Sequence, residues 1–174
     1  MSAIVVNGVR REVNSPPDTP LLYVLRNELQ LSSPQFGCGM AQCGSCSVLL
    51  DGKEIRSCIM PLSSVTGKEV TTLEGLPARW AKQKGLQSGA AQVLHPIQEA
   101  WIEEQTPLCG VCQSGMMIKA TELLERVAAP TVAEINAAFT TSGPSAHLCR
   151  CGSYTAIIAA VQRAGAAMAM AKGR

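Results

Sequence analysis

Four cysteines in the N-terminal part of the chain constrain its fold more than any other feature of the sequence. Cys38, Cys43 and Cys46 are separated by four and two residues, and Cys58 follows after eleven more. Glycines occupy positions 37, 39 and 44 of the same loop. Because glycine reaches positive φ without a Cβ clash, such a loop can bend sharply and turn its N–H groups toward an anion. The spacing therefore predicts a loop that wraps a compact group held by four thiolates.

This spacing is typical of the four thiolates that hold a [2Fe–2S] cluster in plant-type ferredoxins. Two other uses of four cysteines remain open. A structural zinc site also takes four thiolates, although its ligands usually come as paired C-x2–4-C knuckles. A disulfide framework is typical of an oxidising compartment and a small core, whereas 47% of this chain is hydrophobic. The pattern favours the iron–sulfur cluster.

Turn signals on both sides of this loop predict a small mixed sheet. Asn7-Gly8 and Asp51-Gly52 each lie between two short segments expected as strands, so each dipeptide predicts a β-hairpin. A short amphipathic helix is expected after Pro20, and residues 69–73 are expected as the last strand. The second hairpin returns the chain to Cys58, which brings the fourth thiolate back to the loop.

From residue 91 onward the apolar residues recur with the period of a helix. Four helices in about eighty residues predict a small helical bundle. Thr131 and Glu134 can form a capping box at the start of one of these helices. Residues 77–90 contain proline, glycine and serine and are expected as a linker. The chain is thereby divided into a ferredoxin-type domain over residues 1–76 and a helical domain over residues 91–174.

A second set of four cysteines lies in this helical half. Cys109 and Cys112 are separated by two residues, Cys149 and Cys151 by one, and each pair precedes an expected helix. The free N–H groups and the dipole at a helix N-terminus favour a negatively charged group. Taken alone, this set also fits a zinc site with four thiolates. Together with the first loop, it predicts a second [2Fe–2S] cluster.

Composition argues against several functional classes. The formal net charge is +2 without a basic block, so no nucleic-acid or anionic-membrane partner is expected. The longest apolar runs are too short to span a bilayer, and the first residues lack the features of a signal peptide. We expect a cytoplasmic location, with export beside a signal-bearing partner left open.

His95 and His147 are expected to be structural, because eight thiolates already supply the ligands of two clusters.

The order of these motifs resembles the small iron–sulfur subunit of the molybdenum hydroxylases, the xanthine dehydrogenase and aldehyde oxidoreductase family. The likeness rests on the loop at 37–46, on C-G-x-C-Q-S-G from Cys109 and on C-R-C-G-x-Y from Cys149. It covers nearly the whole chain and is strongest with two-subunit bacterial members of the isoquinoline 1-oxidoreductase type. It implies an α+β fold, in which an N-terminal β-grasp ferredoxin-like domain precedes a C-terminal four-helix-bundle domain that binds [2Fe–2S].

The resemblance also implies roles for the cysteines. The outer cluster would be held by Cys38, Cys43, Cys46 and Cys58, and the inner cluster by Cys109, Cys112, Cys149 and Cys151. A large partner subunit would bind a molybdenum–pterin cofactor, in the cytosine dinucleotide form, and hydroxylate an N-heterocycle or an aldehyde. Gln113 and Cys151 would contact that pterin. This chain would carry no catalytic residue and would pass electrons to an external acceptor, a cytochrome or a flavin subunit.

Two positions depart from the family pattern. Ala146-His147 stands where Gly-Asn is common, and Ala156 stands where a basic residue is common. Both departures leave the cysteines intact.

The alternative interpretation of the whole chain is a free-standing ferredoxin-like carrier or a zinc-stabilised binding module. A free carrier needs only one cluster and usually has an acidic surface, so two cysteine sets and a near-neutral charge favour the electron-transfer subunit.

Overall fold

A computed structural model describes residues 2–85 and 94–172 of the chain. Within them the β-strands are Ser2–Val6 (β1), Val9–Val13 (β2), Ser47–Leu50 (β3), Lys53–Arg56 (β4) and Glu69–Thr71 (β5). The α-helices are Leu21–Tyr23 (α1), Leu76–Gln83 (α2), Pro96–Glu103 (α3), Gln113–Arg126 (α4), Val132–Thr140 (α5) and Tyr154–Lys172 (α6). Helix α1 continues as a π-helical turn over Val24–Glu28, and 3₁₀ turns cover Leu62–Val65 and Leu73–Gly75.

The two dipeptide turns form hairpins, as their sequences predict. Asn7 and Gly8 have φ angles of 53° and 76°, and Asp51 and Gly52 have φ angles of 49° and 83°. Positive φ at both central residues gives a turn whose twist matches that of paired strands. Strand β1 pairs antiparallel with β2, and β3 pairs antiparallel with β4. Strand β5 joins the hairpins, parallel to β1 and antiparallel to β3, so the mixed sheet has the order β2-β1-β5-β3-β4.

Both faces of this sheet are covered, because alternate residues of β3 point to opposite sides. Val48 lies in a buried cluster with Leu21 and Leu25 from the α1 segment. Leu49 lies in a second cluster that contains Met116 of α4 and residues of the other C-terminal helices. The sheet therefore lies between α1 and the helical half. This is the α+β arrangement expected from the sequence, a β-grasp ferredoxin-like domain followed by a four-helix bundle formed by α3–α6.

The predicted capping box at α5 is confirmed. The Glu134 N–H donates to Thr131 Oγ1 at 3.2 Å, and the Glu134 carboxylate accepts the Thr131 N–H at 2.7 Å. Helix α3 has a comparable cap, in which His95 Nδ1 accepts the Ile97 N–H at 3.1 Å. Burial lowers the pKa of His95 to about 4, so the neutral ring caps the helix. His95 thus has the structural role expected from the sequence.

Helix α2 overlaps the stretch expected as a linker, residues 77–90, and begins one residue before it. Trp80 is buried on its inner side and packs edge-on against the ring of His95, with 5.4 Å between centroids. Arg79 pairs with Glu125 of α4 at 2.7 Å. The rest of the expected linker, residues 86–90, and the first residues of the expected helical domain, residues 91–93, lie outside the described residues. The domain limits therefore stay a prediction.

Among the described helices, none combines the length and the apolar character that a membrane span requires.

Helix α4 begins directly against the first cysteine loop. A Cβ atom on Gly115 would lie 2.0 Å from the Gly44 carbonyl oxygen and 3.2 Å from Ser45 Cα. Any side chain at this position would therefore separate helix and loop. A Cβ atom on Gly44 would in turn lie 2.4 Å from Nδ1 of His147. Two glycines thus allow the helical half to pack on the backbone of the loop.

A buried ionic network lies beside this contact. The Glu54 carboxylate on β4, whose side chain is 1% exposed, contacts the Arg56 guanidinium. It also lies 3.2 Å from Nζ of Lys119 on α4 and 2.7 Å from Nε2 of His147. Lys119 reaches Glu122 at 2.8 Å as well. One buried carboxylate therefore joins the sheet, helix α4 and the segment that leads to the last cysteines.

The network holds Glu54 in its charged form. Burial alone would raise the pKa of Glu54, but the hydrogen bond from His147 and the charge of Arg56 lower the pKa to about 2. Burial lowers the pKa of His147, so its neutral ring donates to Glu54 through Nε2. His147 is therefore structural, as expected from the sequence, and it ties the second cysteine segment to the sheet.

We expect Gly115→Ala to destabilise the holoprotein by at least about 2 kcal/mol, because the added methyl group meets the backbone of the first loop. Gly165→Ala on α6 is the matched control. It makes the same gain in helix propensity, up to about 1 kcal/mol, and its Cβ has a milder nearest contact, 3.1 Å to the Ala128 carbonyl. The midpoint of urea denaturation measures both effects. Equal midpoints for the two variants would contradict the close approach at Gly115.

We expect Glu54→Gln to destabilise the protein by about 3–5 kcal/mol, because it leaves buried cations without their counter-charge. Glu12→Gln, at the exposed pair with Arg10, should change stability by less than about 1 kcal/mol. The pKa of Glu54 is lower in the folded state than its ordinary value of 4.5. Its ionic contribution is thus present above pH 4.5 and lost as the pH falls toward 2. Urea denaturation from pH 7 to pH 3 should show a weaker acid dependence for Glu54→Gln than for wild type.

Candidate metal centres

The first cysteine set occupies the loop before β3 and the turn after β4. Cys38 and Cys43 are half-buried, whereas Cys46 and Cys58 are buried. The hydroxyl of Ser57 donates to the Cys46 carbonyl at 2.6 Å, which fixes the turn after β4 against the loop. Burial, with the adjacent Cys58 thiol, raises the pKa of Cys46 to about 12. The second hairpin thus returns Cys58 to the loop, as the sequence predicts.

Backbone N–H groups of the loop point at its sulfur atoms. The N–H groups of Met40 and Gln42 donate to Sγ of Cys38 at 3.4 and 3.2 Å. The N–H of Cys38 itself donates to Sγ of Cys43 at 3.3 Å. Burial opposes ionisation of Cys38, but the N–H groups of Met40 and Gln42 outweigh it and lower the pKa to about 7. The loop is therefore built to receive negatively charged sulfur.

The loop reaches this geometry through positive φ angles. Gly39 has φ of 70°, Gly44 has φ of 80°, and Ala41 has φ of 58°. The role of Gly37 is different: a Cβ atom there would lie 2.7 Å from Sγ of Cys43. The glycines therefore serve both purposes that the sequence suggests, a sharp bend and close approach to the thiols.

The second cysteine set lies at the starts of two helices. Cys112 directly precedes α4, and Cys149 and Cys151 precede α6. Cys112 and Cys149 are buried, whereas Cys109 and Cys151 are exposed. The hydroxyl of Tyr154 accepts the Cys149 N–H at 2.8 Å, which holds the second segment in place. The placement of both pairs at helix N-termini agrees with the sequence prediction.

The thiols of both sets contact one another in pairs. In the first set Cys38 lies beside Cys43, and Cys46 lies beside Cys58. In the second set the pairs are Cys109 with Cys151 and Cys112 with Cys149. Burial and the Cys149 thiol raise the pKa of Cys112 to about 12. All eight are free thiols. Two pairs in each set fit a [2Fe–2S] cluster, which has two irons and takes four thiolates.

Over residues 2–85 and 94–172, no three His, Cys, Asp or Glu side chains are grouped as ligands of one metal ion.

The two sets are close neighbours through the backbone. The N–H of Leu148, which precedes Cys149, donates to the carbonyl oxygen of Cys43 at 3.0 Å. Ser114 Oγ also lies 3.5 Å from the carbonyl oxygen of Ser45. A single backbone hydrogen bond therefore joins the segment that carries Cys43 to the segment that carries Cys149.

Gln113, expected to contact a pterin, is 5% exposed. Its Oε1 accepts a hydrogen bond from the indole N–H of Trp101, and its Nε2 donates to Sγ of Cys112 at 3.4 Å. With Gly110, Gln113 also lines a cavity of about 360 Å³. The sequence analysis did not single out Trp101. Only a general rule could have predicted the hydrogen bond from Trp101 to Gln113, since a buried indole N–H usually has a hydrogen-bond partner.

Two family models match the chain. A "2Fe-2S iron-sulfur cluster binding domain" covers residues 4–73, and a "[2Fe-2S] binding domain" covers residues 71–162. A nicotinate dehydrogenase subunit from Pseudomonas putida is 43% identical over 93% of this chain and 92% of its own length. The α subunit of isoquinoline 1-oxidoreductase from Brevundimonas diminuta is 43% identical over 94% of this chain and 97% of its own length.

Solved structures share the same architecture. Quinoline 2-oxidoreductase from Pseudomonas putida 86 contains a chain that superposes with a TM-score of 0.81 at 30% identity, over 99% of this chain and 96% of that one. Aldehyde oxidoreductase from Desulfovibrio gigas superposes with a TM-score of 0.82 at 32% identity, over 97% of this chain but only 17% of the longer protein. This chain belongs to the family of [2Fe–2S]-binding iron–sulfur subunits of the molybdenum hydroxylases.

Proposed function

We propose that this chain relays electrons from the molybdenum–pterin site of a large partner subunit to an external acceptor. The observation that carries the proposal is the hydrogen bond between the two cysteine segments, from the Leu148 N–H to the Cys43 carbonyl at 3.0 Å. It places the two sets side by side within one chain, which is the arrangement that a relay requires. The chemistry on the substrate belongs to the partner subunit.

The proposed ligands are the eight cysteines, as two sets of four: Cys38, Cys43, Cys46 and Cys58, and Cys109, Cys112, Cys149 and Cys151. When bound, each [2Fe–2S] cluster supplies one-electron transfer. In the first set, the N–H groups of Met40 and Gln42 stabilise negative charge on Cys38. In the second set, the helix N-termini at Cys112 and Tyr154 favour negative charge in the same way.

The proposed entry point for electrons is the second set. Cys109 and Cys151 are exposed, and the apolar side chains of Leu108, Val111 and Leu148 are exposed around them. Exposed apolar residues grouped around a functional centre are typical of a surface that contacts another protein. We assign this surface to the large subunit. Cys151 would then lie next to the pterin.

Gln113 is the second residue proposed to face the pterin. Its Nε2 carries two hydrogens, of which one is directed at Cys112. The other is proposed to reach the pterin edge.

The proposed exit is the first set. Phe36, Met40 and Ile59 are exposed beside Cys38 and Cys58. We assign this apolar surface to the acceptor, a cytochrome or a flavin protein.

The substrate is proposed to be an N-heterocycle. Two relatives that this chain matches over more than nine-tenths of their length bear the names of enzymes for N-heterocycles, which supports such a substrate more than an aldehyde. The cytosine dinucleotide form of the pterin is proposed from the family resemblance. A cytoplasmic location is proposed because cysteines that bind a metal cluster have to stay reduced, as thiols do in the cytosol.

We expect four irons and four acid-labile sulfides per chain in the protein isolated without oxygen, because the eight thiols form two sets of four. Cys43→Ser and Cys112→Ser should each lower both contents by about half, since each removes a ligand of one cluster only. Elemental analysis and a sulfide assay measure the contents. Stoichiometric zinc, with iron absent from such a preparation, would instead support the zinc-stabilised binding module.

We expect substrate electrons to reach the second set first. In the assembled enzyme, Cys43→Ser should leave rapid reduction of the second cluster intact and stop turnover with the natural acceptor. Cys112→Ser should prevent substrate electrons from reaching the first cluster. Rapid-freeze EPR after mixing with substrate resolves the two signals in time. Fast reduction of the first cluster in the Cys112→Ser enzyme would reverse the proposed order.

A further inference from the structure

Three buried groups form a continuous hydrogen-bonded chain that ends at a proposed cluster ligand. The indole N–H of Trp101 on α3 donates to Oε1 of Gln113, and Nε2 of Gln113 donates to Sγ of Cys112 at 3.4 Å. The exposed fractions of Trp101, Gln113 and Cys112 are only 2%, 5% and 6%. Water therefore has little access to these bonds, and the partner of each group is set by the protein.

The order of these groups decides how the glutamine amide is oriented. The two ends of an amide have nearly the same shape, so their assignment follows from their hydrogen-bond partners. The indole N–H of Trp101 can only donate, and it therefore requires the oxygen end of Gln113. The opposite end, which carries the N–H groups, is thereby directed at Cys112.

An N–H donor at a ligand sulfur affects the potential of an iron–sulfur cluster. Hydrogen bonds to the sulfurs are among the factors that set this potential, and groups that orient the ligands without binding the metal also affect it. The reduced cluster carries more negative charge than the oxidised one, so a donor to its thiolate stabilises the reduced form more. A donor at Cys112 therefore raises the reduction potential.

We infer that Trp101 is a positioning residue that fixes the Gln113 amide as a donor to the Cys112 thiolate and so raises the reduction potential of the cluster in the second set. The inference rests on the proposed ligation of that cluster by Cys112. It gives Trp101 a role beyond core packing, since the effect depends on one N–H group and not on the volume of the indole. A higher potential at the second set favours its reduction by the partner's site.

The test is an EPR-monitored redox titration of the holoprotein. Gln113→Leu removes the donor and keeps an apolar side chain of similar size. It should shift the reduction equilibrium of the second cluster about tenfold toward the oxidised form, which is about 59 mV for a one-electron couple. Trp101→Phe should shift the same signal in the same direction, because the amide is no longer oriented. The potential of the first cluster should not change in either variant.

The double variant distinguishes positioning from an independent effect. If Trp101 acts through Gln113, Trp101→Phe in the Gln113→Leu background should produce no further shift. Trp80→Phe is the matched control for loss of a buried indole, because Trp80 packs against His95 in the same core. It should leave both potentials unchanged. An unchanged potential in Trp101→Phe, or an equal shift in Trp80→Phe, would overturn the inference.

If the variants fail to fold or to retain the cluster, a measurement on the wild-type protein tests the inference instead. With ¹⁵N placed only in glutamine side-chain amides, pulsed EPR of the reduced protein should detect a nitrogen coupled to the second cluster. If that coupling is missing while both cluster signals are present, the Gln113 bond is wrong but the relay stands. If the second cluster itself is missing from a protein that binds the first, the proposed function fails instead.

Discussion

The close backbone contact between helix α4 and the first cysteine loop is the constraint on which the rest of the structure depends. The absence of a side chain at Gly115 lets the helix approach the Gly44 carbonyl, and Gly44 leaves space for the ring of His147. Cys112 stands immediately before this helix, and Cys149 follows His147 by two residues. The same contact therefore brings both halves of the second cysteine set against the first loop, and the Leu148–Cys43 hydrogen bond lies beside it.

We expect the buried ionic network beside this contact to favour a single arrangement of the junction. Burying Glu54 with Arg56 and Lys119 removes strongly hydrated charges from water, which offsets much of their mutual attraction. An apolar junction could supply as much stability, but it would tolerate sliding of the helix along the sheet. The carboxylate of Glu54 has contacts on three separate segments, and a shift of any of them would leave a buried charge unpaired. We interpret the network as a device that fixes the distance between the two cysteine sets.

Sequence reasoning succeeded where local chemistry decides local structure. The Asn7-Gly8 and Asp51-Gly52 turns need positive φ, and both hairpins form where these dipeptides occur. The glycines of the loop at 37–46 predict a bent backbone with inward N–H groups, and the N–H bonds to Cys38 agree with it. Sequence reasoning did not predict helix α2, because the proline, glycine and serine residues at positions 77–90 are typical of a linker. The packing of Trp80 against His95 favours a helix there in spite of that composition.

The sequence alone determined which residues are the candidate cluster ligands, because the thiol donors, the glycines and their spacing are properties of short segments. The mixed sheet and the helical bundle follow from turn residues and apolar period for the same reason. Only the tertiary structure decided how the two cysteine sets meet. The contacts of Gly115 with Gly44, of Glu54 with Lys119 and of Trp101 with Gln113 join residues 12 to 71 positions apart. No local pattern marks such partners, because their identity depends on which surfaces are buried together when the two halves pack.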